Sequence, residues 1–383
     1  MRVLITVPWW ERLGGAEAML HTILGGAQES PHEIELVFFE DGPWPEELRQ
    51  AGLRVDVIRA GRVRQVPRTL ATVARLAALF RARRPDVILN WAAKTQLYAS
   101  PAAVLAGMSD RVLWWQHAIA GRHWLDLAAN ALPAQAVACY STAAAEAQRR
   151  LWPHRPTIVI PAGAAAAGGA RTPDEQQRQA PTFDLPSDVP IIGIVGRLQA
   201  WKGQDRLLRA QALLRERGRQ MHLLVVGGDS YGLSPQYAAS LPTLVEQLGL
   251  SSDVTLAGEV PDATPLIERM DVLVNASDPE PFGIVLLEAM AAAVPVLAVA
   301  SGGPLDIVEP GRTGMLARSG DPVDLADALE PLLDSPELRR ELGEAGRERF
   351  MRDYTEEAVR RRFFTALENI ANRDRKPVDE DTR

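Results

Sequence analysis

The chain twice runs through the same alternation of short β-type segments and helical segments, and this repetition limits its fold more than any other feature. In the first run Val3–Val7, Ile34–Phe39, Val55–Arg59, Pro85–Asn90, Arg111–Trp115, Ala136–Tyr140 and Thr157–Pro161 read as strands. Helical stretches lie between them: Ala16–Ala27, Arg68–Arg83 with Leu70, Val73, Leu76, Ala77 and Phe80 at helical spacing, and Thr142–Leu151 with Ser141 as its cap. From Ala164 to Asp188 the pattern stops in Ala-Gly repeats and a polar stretch, which reads as a linker. It resumes with strands at Ile191–Val195, Met221–Val226, Val254–Leu256, Val272–Asn275 and Val296–Val299, and with helices at Gln204–Arg217, Ser240–Leu248 and the segment containing Glu288. Strands alternating with helices predict parallel sheets covered on both faces. The expected fold is therefore α/β: two doubly wound parallel-sheet domains, residues 1–165 and 189–350, joined by a linker at 166–188 and facing a central cleft where ligands bind. Helices follow at Pro322–Asp334, Pro336–Phe350 and Thr355–Asn372, and the charged tail 373–383 reads as disordered.

At 383 residues the chain accommodates two domains of ordinary size. Its net charge of −7 argues against general nucleic-acid binding. The charge is uneven: from Arg59 to Arg84 there are eight arginines (Arg59, Arg62, Arg64, Arg68, Arg75, Arg81, Arg83 and Arg84) and no acidic residue. This stretch reads either as a solvated loop and helix face or as a patch that meets anionic lipid or an anionic acceptor. No apolar run is long enough to span a bilayer, and the start, Met1-Arg-Val-Leu-Ile-Thr-Val-Pro, reads as a first strand, not a signal peptide. Cys139 is the single cysteine and sits in a strand-like segment, which suits a small buried hydrophobe. A cytoplasmic location, peripheral to the inner face of the membrane if the arginine stretch meets lipid, is the expectation.

The segment Glu280-Pro-Phe-Gly-Ile-Val-Leu-Leu-Glu288 carries two carboxylates around an aromatic-glycine step and leads into an apolar helix. A glutamate inside such a helix is costly to bury without partners, so Glu288 calls for donors such as the hydroxyls of a ligand. Amides near Gly283 and Ile284 would form a helix N-terminus suited to phosphate. A buried structural Glu288 and an incidental Glu280 between Pro279 and Pro281 is the plainer alternative. In Ile191-Ile-Gly-Ile-Val-Gly-Arg-Leu-Gln-Ala-Trp-Lys-Gly, Arg197 and Lys202 follow a buried strand within one loop. A planar fork and a point charge there could neutralise a departing diphosphate without a metal.

The first half supplies further candidates. Gly14 and Gly15 follow the first strand and open a helix, which permits close approach of backbone to phosphate. His117 closes a strand at its carboxyl end. Trp9, Trp10 and Trp91, with Asn90 and Lys94, follow strands and suit a sugar or cyclitol ring of the acceptor; core packing is the competing role for the tryptophans.

With these residues the chain resembles the retaining glycosyltransferases of family 4, whose architecture is GT-B, two Rossmann-like domains. The resemblance covers nearly the whole chain and is most specific at Gly196-Arg197, Lys202-Gly203 and the Glu-x7-Glu segment, with weaker matches at Gly14-Gly15-Ala16-Glu17, His117, Gly258-Glu-Val and Ser301-Gly-Gly-Pro. It implies that Arg197 and Lys202 hold the donor diphosphate, that Glu280 contacts the transferred sugar, and that amides from Phe282, Gly283, Ile284 and Val285 serve sugar and phosphate. It further implies Glu288 on the ribose, Val260 by the nucleobase, Gly15 on the phosphates and His117 on the donor sugar. The last helix would return to the first domain. No metal or other cofactor is implied beyond the nucleoside-diphosphate sugar, and the acceptor would be a sugar, cyclitol or lipid-linked hydroxyl. Two departures stand out: Pro161-Ala-Gly-Ala-Ala-Ala lacks the polar Asn and Asp usual in that turn, and Asp306 stands where Glu is more usual. A sugar-nucleotide epimerase of similar shape and a non-catalytic sugar-nucleotide-binding protein are the alternatives.

Overall fold

A computed structural model describes residues 1–11, 14–27, 30–121, 123–166, 183–229 and 232–373. The expected linker 166–188 and tail 373–383 thus fall largely outside the described residues. The chain divides into two compact units, Met1–Pro161 with Val359–Arg383, and Ala162–Ala358.

The first unit contains a seven-stranded sheet of β1 (Arg2–Val7), β2 (Glu33–Phe38), β3 (Arg54–Val57), β4 (Val87–Asn90), β5 (Val112–Gln116), β6 (Ala136–Cys139) and β7 (Thr157–Val159), in the order β3-β2-β1-β4-β5-β6-β7. Every pairing is parallel. Burial on both faces explains why β1 and β5 read as continuous apolar runs with almost no alternation. One face packs Leu4, Val37, Ile88, Trp114 and Val137 against Val73, Leu76, Phe80 and Tyr98. The final helix, Glu356–Arg373, buries Val359, Phe363, Leu367 and Ile370 at helical spacing, and Phe363 stacks on Trp115 of β5 at 6.0 Å.

The second unit has a six-stranded sheet of β8 (Ile191–Val195), β9 (His222–Val226), β10 (Val254–Gly258), β11 (Val272–Asn275), β12 (Val296–Val299) and β13 (Met315–Ala317), ordered β10-β9-β8-β11-β12-β13. These pairings are parallel too. Ile192, Ile194, Leu223, Val225, Val272 and Val274 face helices that contribute Leu207, Leu214, Leu325 and Leu329. On the other face Gly193 has no side chain because Met270 occupies that space: a Cβ there would lie 1.9 Å from the thioether sulfur.

Several elements are absent from the sequence reading, among them the helices Pro43–Gln50 and Trp124–Ala131. β13 is only three residues long, too short for a periodic signal. The helix Ala93–Ala106 carries Pro101 in its interior, a residue that ordinarily marks a helix boundary. Leu70 also departs from expectation: it lies on the outer side of the helix Val66–Arg83 at 63% exposure, while Thr72, Val73, Leu76, Ala77 and Phe80 face inward.

Candidate functional site

In each sheet the strand order reverses beside its first strand, between β1 and β4 and between β8 and β11. Such a switch point opens a crevice at the carboxyl ends of the strands. In the second unit Arg197 and Lys202 follow β8, and Glu280 follows β11.

Two backbone features bring these loops together. Gly203 has φ +77°, and a Cβ there would sit 2.5 Å from the Ala276 carbonyl oxygen, so only glycine lets the loop after β8 lie on the loop after β11. Arg206 stitches the same junction by donating to the carbonyls of Trp201 (3.1 Å) and Ala276 (2.6 Å), and the Asp278 amide donates to Trp201. Lys202 Nζ then reaches Glu280 Oε2 at 2.7 Å while lying 4.2 Å from the Trp201 ring centroid. Glu280 is itself clamped: its amide donates to the Ser301 carbonyl, and its carbonyl accepts from the Gly303 amide at 2.8 Å. Gly302, at φ +86°, has its Cβ position 2.0 Å from the Glu280 carbonyl oxygen. The Ser301-Gly-Gly-Pro turn therefore holds the glutamate by backbone pairing that no side chain could permit.

Burial pushes the Glu280 carboxyl up, but the Lys202 ammonium and hydrogen bonds from Lys202, Ser277 and Asn275 outweigh it and hold the group below its ordinary value. Glu280 is thus a buried carboxylate at neutral pH, 5% exposed. Arg197 lies in the same loop, half-buried, with its carbonyl accepting from Gln204 Nε2.

Beside the pair, Gly283 opens the helix Ile284–Ala291, and Phe282 is buried in edge contact with Tyr354. Ile284, Val285 and Glu288 share the half-buried side of this helix, whereas Leu286, Leu287, Ala289 and Met290 are buried. Glu288 falls on the half-buried side of a helix whose opposite side meets the core. No described residue donates a hydrogen bond to its carboxylate. Desolvation pushes Glu288 up to about 7, and the charge of Asp262 adds to the effect. Asp262 sits in the loop after β10 together with Val260, which is half-exposed.

In the first unit His117 is held through both ring nitrogens. Nε2 contacts the Trp91 carbonyl and Nδ1 the Tyr140 hydroxyl, the latter at 2.8 Å. A carbonyl only accepts, so Nε2 carries the proton and Nδ1 accepts from Tyr140. Desolvation lowers the imidazole to about 4, against the raising effect of the Trp91 carbonyl, and the ring is neutral at pH 7. The ring packs among Trp91, Trp115 and Tyr140.

Acceptor contact by Asn90 and Trp91 does not fit their burial. Asn90 is fully buried and its side chain bonds Thr6 and Gln96; Trp91 is 1% exposed with centroids 4.7 Å from Trp115. Both support the strand ends from within. Trp9 and Trp10 are half-buried: Trp9 Nε1 donates to Glu17, and Trp10 lies against the Gly42 backbone. Lys94 ties two strand ends by donating to the Pro8 carbonyl at 3.3 Å and to Glu40 at 2.8 Å. Gly14 and Gly15 are exposed at the start of the helix Gly15–Leu24.

Sequence reasoning missed Asn275, Ser277, Trp201 and Tyr140. A polar residue closing the apolar strand Val272-Leu-Val-Asn275 was the available signal for the first, and adjacency to Lys202 for Trp201. Nothing in the sequence links Tyr140 to His117.

Two doubly wound parallel sheets, the second with a lysine paired to a buried glutamate and a helix N-terminus at its switch point, define the GT-B class of glycosyltransferase fold. Residues 13–166 match the family described as Glycosyltransferase Family 4 and residues 175–349 match Glycosyl transferases group 1, and the chain belongs to this glycosyltransferase family. It is 37% identical over 193 residues to a D-inositol 3-phosphate glycosyltransferase of Corynebacterium jeikeium, an alignment covering 49% of this chain and 45% of that protein. The chain spans about half the length or less of the first curated relatives it matches. Among solved structures, Anabaena Alr3699/HepE in complex with UDP superposes with a TM-score of 0.78 at 22% identity, covering 96% of this chain and 100% of that one. A glycosyltransferase from Rickettsia africae superposes with a TM-score of 0.79 at 18% identity, covering 97% and 99%.

Proposed function

We propose that the protein is a retaining glycosyltransferase that moves a hexose-type sugar from a nucleoside diphosphate to an acceptor hydroxyl, without a metal in the transfer step. The observation that carries this reading is the ion pair of half-buried Lys202 with buried Glu280 beside the helix that begins at Ile284. Lys202 has three donor hydrogens and gives one to Glu280, leaving two for a diphosphate. Arg197 joins it from the same loop. As the bond from the anomeric carbon to the diphosphate oxygen breaks, the electron pair stays with that oxygen, and the two cations stabilise the growing charge. The acceptor oxygen bonds to the anomeric carbon on the same face, and its proton passes to the leaving oxygen. Glu280, held ionised, accepts hydrogen bonds from the sugar hydroxyls; no covalent nucleophile is assigned. Glu288 serves the ribose, Val260 the base, and the amides at Gly283 to Val285 the phosphate and sugar.

HepE binds UDP, which supports a nucleoside-diphosphate donor. The inositol phosphate relative supports a cyclitol or sugar acceptor. No helix among the described residues is long and apolar enough to cross a membrane. We place the reaction in the cytoplasm, where nucleotide sugars are made.

The test is a thermal-shift screen of UDP-, GDP- and ADP-sugars, followed by turnover with inositol phosphate and sugar acceptors in the presence of EDTA. The reading expects one donor class to raise the melting temperature, nucleoside diphosphate to appear only when acceptor is added, and NMR to show retained anomeric configuration. Consumption of donor without acceptor would make the protein an epimerase.

A further inference from the structure

The helix Val66–Arg83 is apolar on both sides, although only one side has a core to meet. Val73, Leu76, Ala77 and Phe80 pack inward. The opposite side presents Pro67, Leu70, Ala71, Ala74, Ala78 and Ala82, all exposed and spaced as one helical stripe. A solvated helix face ordinarily fills such positions with charged residues. The exposed surface extends into the preceding loop, where residues 62 to 65 are all exposed, Val63 at 38%; within the helix Val66 is 59% and Leu70 63% exposed. At the far end Arg81 donates to the Leu105 carbonyl, beside the exposed Val104 and Leu105.

Arginines flank this stripe. Arg62, Arg64, Arg68 and Arg75 are exposed, and among the described residues no carboxylate lies within ion-pairing distance of any of them. Elsewhere in the same stretch Arg59 pairs with Asp41, and Arg83 with Glu35 and Asp56. In a chain of net charge −7, a local cluster of unmatched arginines around exposed apolar side chains is a segregated feature.

We propose that the loop 59–65 and the outer face of the helix Val66–Arg83 form a docking surface for an anionic lipid bilayer. Val63, Val66 and Leu70 enter the interface while Arg62, Arg64, Arg68 and Arg75 meet lipid phosphates. Charge complementarity selects an anionic partner, and the apolar stripe between the arginines selects a bilayer over nucleic acid, which offers no apolar layer to receive it. The surface belongs to the first unit alone and does not depend on the sugar-transfer chemistry.

The full chain is sedimented with vesicles of phosphatidylcholine and with vesicles of equimolar phosphatidylcholine and phosphatidylglycerol. It is expected to bind the anionic vesicles and not the neutral ones, with binding weakened by salt. Arg64→Gln with Arg68→Gln should weaken partitioning by about fivefold per arginine removed. Val66→Ser with Leu70→Ser keeps every charge and should weaken it by about tenfold. All four positions are exposed, and an unchanged melting temperature will confirm folding. Absence of binding by the folded wild type overturns the proposal. So does a Val66→Ser/Leu70→Ser variant that binds as well as wild type, or a wild type that binds a DNA duplex as tightly as anionic vesicles; either result makes the patch a general polyanion site.

Discussion

Lys202 and Glu280 are 78 residues apart in sequence, yet their charged atoms lie 2.7 Å apart with side chains only 19% and 7% exposed. A buried pair of this kind is costly to break from one side, because the remaining charge is left without a partner. Lys202→Ala is therefore expected to lower stability by about 3 kcal/mol and turnover by about 100-fold or more. Denaturant melts and steady-state kinetics measure the two effects. A variant with wild-type turnover would remove Lys202 from the diphosphate site.

Gly203→Ala probes the junction that creates this pair. The left-handed backbone costs an alanine about 1 kcal/mol, and its Cβ would meet the Ala276 carbonyl at 2.5 Å. A total loss near 2 kcal/mol or more is expected, with donor affinity falling in parallel, since the loop carrying Lys202 must lift. Retained affinity at reduced stability would show that the loop carrying Lys202 tolerates the shift.

Glu288 gives a pH signature. Its carboxyl is raised to about 7, above the ordinary 4.5, so its contribution is full below pH 4.5 and is lost as pH rises through about 7. Glu288→Gln should therefore gain on the wild type between pH 5 and 8, by roughly 2 kcal/mol at most given the partial exposure. Donor binding should run the opposite way if the ionised form accepts ribose hydroxyls: wild-type affinity rises through pH 7, and that of the variant stays flat. Calorimetric titration at pH 6 and pH 8 distinguishes the two curves.

His117 behaves in the converse manner. Lowered to about 4, it contributes stability that is present above pH 6.5 and lost as pH falls toward 4. Tyr140→Phe removes the donor to Nδ1 and is expected to cost about 1–2 kcal/mol. NMR titration of the imidazole should show the Nε2-protonated tautomer in the wild type; the Nδ1-protonated form would contradict the geometry.

Much of the fold was legible in the sequence because parallel strands buried on both faces leave unbroken apolar runs such as Val3-Leu-Ile-Thr-Val7 and Ile191-Ile-Gly-Ile-Val195. Among the elements that escaped, β13 did so for its length and the helix Ala93–Ala106 for its internal proline; the helices Pro43–Gln50 and Trp124–Ala131 were missed as well. In the candidate site, Arg197, Lys202, Glu280 and Glu288 stood out as charges set against apolar strands and helices. Asn90 and Trp91 did not yield to the same reading, since a polar or aromatic residue at a strand end has the same local sequence whether it faces a ligand or the interior.

The amino-acid order alone determined that the chain forms two α/β units and which charged side chains follow their strands, because periodicity and turn chemistry are local properties. Only the tertiary structure decided that the chain reverses between β8 and β11, that Gly203 and Gly302 let backbone approach backbone there, and that Lys202 and Glu280 consequently share one buried position. Those facts depend on strand order and on clearances between segments distant in sequence, which no local pattern of residues encodes.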